Sequence, residues 1–158
     1  MERSVDVAGY LLERRESILD HASTEIVGRR LPHYEAAGPE AVRERLAALF
    51  DVVVQAAAES HLEPALTYAG DLAATRQQSG HDLGELQRAI NALEEQIWHA
   101  VFEEVPANAQ GYALGVVSTI LGAIKDRLAC EYVSRAASKP THTLRIDELF
   151  RGTASGEV

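Results

Sequence analysis

Pro39, Pro64 and Pro106 each stand where one amphipathic stripe ends and another begins, and this punctuation constrains the fold more than any other feature of the chain. A proline inside a helix removes a hydrogen bond and clashes with the preceding turn, whereas at the first position it replaces an N–H that would be unpaired anyway. Val42, Leu46, Leu49 and Val53 recur at four, three and four, with Phe50 and Val54 widening the face, and predict a helix from Pro39 to about Ser60. Leu62, Leu66, Ala69 and Ala73 predict a second, ending by Ser79–Gly80. The clearest stripe is Leu83, Leu86, Ile90, Leu93 and Ile97, stopped by Pro106, with Glu85, Arg88, Asn91, Glu94 and Glu95 elsewhere around the helix. Its entry has Asp82 followed three residues later by Glu85, the spacing of a capping box, and Gly80 suits the left-handed residue that closes the helix before.

Two further segments complete the pattern. Leu12, Leu19 and Ile26 stand at sevens with Arg15, Ile18 and Ala22 beside them, predicting one helix over about Val5 to Arg30, and "RRLPHYEAAGP" reads as a connection. From about Ala107 to Ala137 the last long helix is apolar or small nearly all round between Tyr112 and Ile124, so it is expected to be central or to form an interface. Gly111, Gly115, Ser118 and Gly122 run along one of its faces and permit close approach of another helix, first within the domain and otherwise from a second copy. Beyond Pro140, Leu144, Ile146, Leu149 and Phe150 suit one short amphipathic turn before a frayed tail. Sustained two-residue alternation and hairpin turn pairs are absent. The expectation is an all-α bundle of five to six helices, with residues 1–138 as the helical domain and 139–158 as a short segment and tail.

At 158 residues, 46% hydrophobic and 25% charged, the chain suits one globular domain with a real core. The net charge of -9 argues against a nucleic-acid backbone as partner, which needs a clustered basic surface. "YALGVVSTILGAI" is thirteen residues, short of the roughly 20 a membrane span needs. The charged, amphipathic opening does not read as a secretory signal, so the expected location is the cytoplasm. A single cysteine, Cys130, makes no internal disulfide.

No arrangement of residues recommends an enzyme, a cofactor or a metal. His81 beside Asp82 resembles a general base with its orienting carboxylate, but no nucleophile lies nearby, and the reading is a cap at Asp82 and a solvated turn residue at His81. His99 follows Trp98 and is the candidate axial ligand if the chain binds haem, although three phenylalanines are few for a porphyrin pocket. His21 is followed by Ala22 rather than the acid expected of a phosphotransfer histidine. His33, His61 and His142 fall in connections. Neither His61 with Glu63 nor the Glu103–Glu104 pair has metal-ligand spacing, and "GYALGVVSTILG" lacks the order of a phosphate-binding loop.

The stretch "LAATRQQSGHDLGELQRAINALEEQIW" resembles the RsbRD-type N-terminal domain of RsbT co-antagonist (stressosome RsbR-like) proteins, through Arg76, Gly80, Leu83, Glu85, Leu86, Arg88 and Ile97–Trp98. "LLERRESILDHASTEI" and the apolar last helix extend the likeness over about residues 8 to 137. The resemblance implies a globin-like helical sensor module without haem or enzymatic activity, one that dimerises and signals to an output domain. Similar modules precede histidine kinases and PucR-like regulators. The segment after the bundle does not read as a STAS, kinase or DNA-binding domain, so the expectation is an excised sensor or a stand-alone relative acting through a partner. A globin-like protein binding haem or another small ligand is the alternative.

Overall fold

The computed structural model describes residues 5–138 as seven helices, with no strand among the described residues. The expected amphipathic turn at Leu144, Ile146, Leu149 and Phe150, the tail and His142 lie outside the described residues.

The first long helix is in fact two, α1 (Val7–Glu13) and α2 (Arg15–Gly28), separated at Arg14, whose φ of -107° and ψ of 9° leave the helical region. The Arg14 N–H closes α1 onto the Leu11 carbonyl at 3.1 Å, and the Arg14 carbonyl opens α2 by accepting from Ile18 at 2.9 Å. This break shifts the phase of the apolar stripe. Leu11 is 1% exposed and Leu12 is 52% exposed, so Leu11 replaces Leu12 as the core residue expected from the spacing of sevens. The two arginines at the joint then diverge, Arg14 pairing with Glu104 at the far end of the chain's sixth helix and Arg15 with Asp51 on its fourth.

The segment read as a connection contains α3 (Pro32–Ala37), six residues that begin on a proline and end where Gly38 takes a φ of 87°. A single turn and a half is too short to show a period, and its burial rests on Leu31 and Tyr34 alone. α4 (Pro39–Glu59) follows as expected, with Val42, Leu46, Leu49, Phe50, Val53 and Val54 all buried. It packs against each of the other six helices and is the centre of the bundle.

α5 (Glu63–Gln78) buries Ala65, Ala69 and Ala73, while Leu62 and Leu66 are exposed, which corrects the expected stripe by moving it one position toward the alanines. A ridge of methyl groups at every fourth residue brings the backbone close to its neighbour, and α5 makes its most extensive contact with α7. α6 (Leu83–Glu104) presents Leu86, Ile90, Leu93, Ile97 and Val101 to the core as its spacing predicts.

α7 (Ala107–Ser138) lies on α5, α6 and α4, and buries Ala113, Val117, Ile120, Leu121, Ile124 and Leu128 along one face. It is not covered all round, because Tyr112 and Val133 are exposed. Gly111, Gly115 and Gly122 have nothing within 4 Å of where a Cβ would stand, and Ser118 is exposed. The close approach within the domain expected of that stripe is therefore made instead by the alanines of α5. Among the described residues no helix is long and apolar enough to cross a membrane.

An alanine ridge against α7 leaves no room for added methylenes. Ala69→Leu is expected to destabilise the fold by about 1–3 kcal/mol through overpacking. Leu66→Ala, on the exposed side of the same helix, should change stability by no more than about 0.5 kcal/mol. Urea unfolding midpoints of the two variants measure this, and equal effects would place the buried face of α5 elsewhere.

Candidate functional site

Five of the seven helices meet in a polar cluster at one end of the bundle. The turn between α5 and α6 builds its centre. Gly80, with φ of 79°, ends α5 by donating its N–H to the Gln77 carbonyl at 3.1 Å, and the His81 N–H reaches the Arg76 carbonyl at 2.9 Å. These are the paired hydrogen bonds of a Schellman motif, which needs a left-handed residue where Gly80 stands. Asp82 then caps α6, accepting from the Gly84 N–H at 3.1 Å. His81 is thus held between two helix ends, and it is only 7% exposed. The solvated turn residue expected from sequence is a buried one.

Glu85 is also buried, at 3% exposure. The capping box would have turned its carboxylate back to the Asp82 N–H. Instead, Oε1 accepts the His33 backbone N–H at 2.7 Å and Oε2 pairs with His33 Nδ1 at 2.7 Å. Both oxygens are engaged by one residue of α3, a segment that had no evident role in the sequence. Desolvating a carboxylate is costly, and two charge-assisted hydrogen bonds in one direction are what make the burial tolerable. The His33 ring in turn stacks on His81, with centroids 4.2 Å apart and planes at 28°.

Aromatic and cationic groups enclose this stack. Tyr34 meets His81 edge-on at 6.2 Å, and the Arg45 guanidinium lies 5.7 Å from the centre of the Tyr34 ring. From α7, the Tyr132 hydroxyl donates to the His81 carbonyl at 2.9 Å, and Gln77 Nε2 donates to the Tyr132 carbonyl at 3.4 Å. Burial pushes the Tyr34 and Tyr68 hydroxyls up to about 12, with the positive charge of Arg76 opposing the shift at both. Tyr132 is raised by burial and by the nearby Asp82. Burial and then the charge of Arg76 lower Arg45. His81 is lowered by burial first, then by His33, Arg76 and Arg45.

Several buried groups in the cluster have no hydrogen-bond partner among the described residues: Arg45 Nη1, Gln77 Oε1 and both ring nitrogens of His81. Arg45 and Arg76 likewise have no carboxylate in ion-pair range among the described residues. The arrangement gathers Arg45, Gln77, His33, His81 and Tyr132 about Glu85, whose two oxygens are both engaged by His33.

Of the residues singled out from sequence, the turn and the entry of α6 bring together Arg76, Gly80 and Glu85. Leu86 is in the core, Leu83 is half-buried at its edge, and Arg88 and Trp98 are exposed. Arg45, Tyr34, Tyr68, Gln77 and Tyr132 were not anticipated. Arg45 carried a signal nonetheless, because it stands three residues after Val42 and four before Leu49, inside the buried stripe of α4. His99 is exposed on α6 and borders a surface groove of about 580 Å³ shared with Arg14, Glu25, Glu95 and Glu103. Those charged walls do not fit a porphyrin face. A larger groove of about 850 Å³ runs from Val7 past Ala57 and His61 to Tyr112 and Gly115 on α7.

A family model described as the RsbT co-antagonist protein rsbRD N-terminal domain matches residues 15–137. No curated protein and no solved structure matches the chain.

Because folding lowers His81 below its ordinary value of about 6.5, the unfolded chain takes up a proton at higher pH than the folded one. The stability that burial of the neutral ring brings is present above about pH 6.5 and is lost as pH falls through the folded value. Denaturant unfolding at pH 7.5 and 5.5 should show lower stability at the acid end, and His81→Phe, which keeps a ring against His33, should flatten the dependence. Glu85→Ala removes the acceptor of the His33 backbone N–H and the partner of its Nδ1, and is expected to cost about 1–3 kcal/mol in the same measurement at pH 7.5.

Proposed function

The chain belongs to the RsbRD N-terminal domain family, and from that premise we propose that it is a cytoplasmic, non-enzymatic sensory domain acting as a homodimer and signalling to a partner or fused output domain. The observation that carries this reading is the family match across residues 15–137, which spans α2 to α7. The stress-response role of RsbT co-antagonists and a globin-like arrangement of the helices belong to the same proposal.

Two features of the molecule support it. The polar cluster offers groups for binding without a nucleophile to do chemistry, as suits a module that registers a signal rather than transforms a substrate. The uncovered face of α7 carries Gly111, Gly115, Ser118 and Gly122 beside the exposed ring of Tyr112, a surface that a second copy of the helix would cover closely. Haem binding, the competing reading, has no observation to favour it, since His99 stands among charged side chains on the outside of α6.

Light scattering at high micromolar concentration is expected to give twice the mass of the chain. Gly115→Glu should shift the protein to a monomer without loss of monomer stability, because a side chain at that position meets nothing within 4 Å. A strict monomer for the wild type would remove the dimer, and an unchanged dimer in the variant would move the interface off this face of α7.

A further inference from the structure

We propose that α3 is a proton-released flap: when the buried His81 ring takes up a proton, its stack with His33 parts and α3 leaves the bundle while the other six helices stay packed. The inference rests on the sensory reading and deepens it, because it makes the proton the signal that the domain registers.

Histidine is the side chain whose charge changes in mildly acidic water, and two of them are stacked here from separate elements, with ring centroids 4.2 Å apart. Their surroundings are unequal. Both oxygens of Glu85 engage His33, so a carboxylate is placed to balance a charge on that ring. His81 is more than nine-tenths buried, and neither of its ring nitrogens has a hydrogen-bond partner among the described residues. A protonated imidazole carries two N–H donors, and leaving both buried without acceptors is costly. The groups around it offer no relief. Tyr34 of α3 meets the ring edge-on, and Arg45 of α4 and Arg76 of α5 are positive. Glu85 of α6 is committed to His33, Asp82 caps its own helix, and the Tyr132 hydroxyl of α7 is spent on the His81 carbonyl. Burial, and after it His33, Arg76 and Arg45, accordingly hold the ring below its ordinary value, with Glu85 opposing them.

A charged His81 reaches water only if something beside it moves, and α3 is the piece held least. The His81 backbone is pinned, its N–H donating to the Arg76 carbonyl at 2.9 Å and its carbonyl accepting from the Tyr132 hydroxyl at 2.9 Å. By contrast, α3 is six residues with Tyr34 as its one buried side chain. Its hydrogen bonds to the rest of the bundle, among the described residues, are the two that His33 makes with Glu85. Residues of positive φ bracket it, Arg30 at 51° and Gly38 at 87°, so the chain already turns sharply on both sides of the segment. Departure of His33 and Tyr34 opens the covered side of the His81 ring to solvent. The closed form holds that ring neutral, so its advantage is complete above about pH 6.5 and is lost as pH falls through the folded value.

Amide hydrogen exchange of the full chain at pH 7.5 and 5.0, corrected for the intrinsic pH dependence of exchange, tests the flap. The amides of residues 33–38 are expected to lose about tenfold or more in protection at the acid end, while those of α4 and α6 keep theirs. His81→Phe keeps a ring against His33 that cannot take a charge, and it should hold the protection of α3 at pH 5.0. His61→Gln, at an exposed histidine, should lose that protection as the wild type does. In the wild type alone, titration of the His81 ring resonances by NMR should coincide with the loss, which keeps the test independent of whether a variant folds. Unchanged protection of α3, equal loss in a folded His81→Phe, or an opening midpoint apart from the His81 titration overturns the proposal. So does a loss shared by α4 and α6, which is acid unfolding of the whole bundle. Failure of the sensory reading shows separately, as a monomer whose α3 still opens in acid.

Discussion

The fold depends on the apolar face of one helix, whose outer side at Glu44, Ala48, Asp51 and Gln55 stays exposed. α4 touches every other helix, and Val42, Leu46, Phe50 and Val53 leave almost nothing of its apolar face to solvent. Burying such a face is the largest favourable contribution available to a domain of this size, and it dictates where the rest of the chain can go. α1, α2, α5 and α7 all lie on it.

The buried stripe of a hub helix would be expected to be wholly apolar, and that of α4 is not. Arg45 stands within its stripe and rests on Tyr34 of α3. The cluster around it is what allows a cation at that depth. Tyr34 offers its ring, and the paired oxygens of Glu85 hold His33, and with it α3, in place beneath. The polar cluster and the short α3 are therefore one structural solution. Without the Glu85 tether, six residues whose one buried side chain is Tyr34 would have little reason to remain a helix against the bundle.

Long stripes were legible in the sequence and short or small-residue ones were not. The faces of α4 and α6 stand where their leucines, valines and isoleucines place them, because large side chains at a steady period admit one buried face. In α5 the leucines misled, since Leu62 and Leu66 are exposed and the methyl groups of Ala65, Ala69 and Ala73 do the packing. Residue size draws the eye to the wrong face when the tightest contact requires the smallest side chains. Gly111, Gly115 and Gly122 show the converse: small residues at helical spacing permit close approach without requiring it, and here the described chain leaves them open. The polar cluster was half legible. Arg76, Gly80 and Glu85 were marked by the likeness to the family, and their local tasks by the grammar of helix ends. That Glu85 would forsake its own helix's cap for a residue 52 positions away depends on tertiary packing, which no local pattern records.

The turn at Gly80 joins these threads, because the residues that end α5 and begin α6 also build the cluster. Arg76 gives its carbonyl to the Schellman closure, and its charge acts on Arg45 and His81. Helix-end geometry alone requires only the carbonyl, which any amino acid supplies. The same turn is fastened to α7 through Tyr132, whose hydroxyl holds the His81 carbonyl at 2.9 Å.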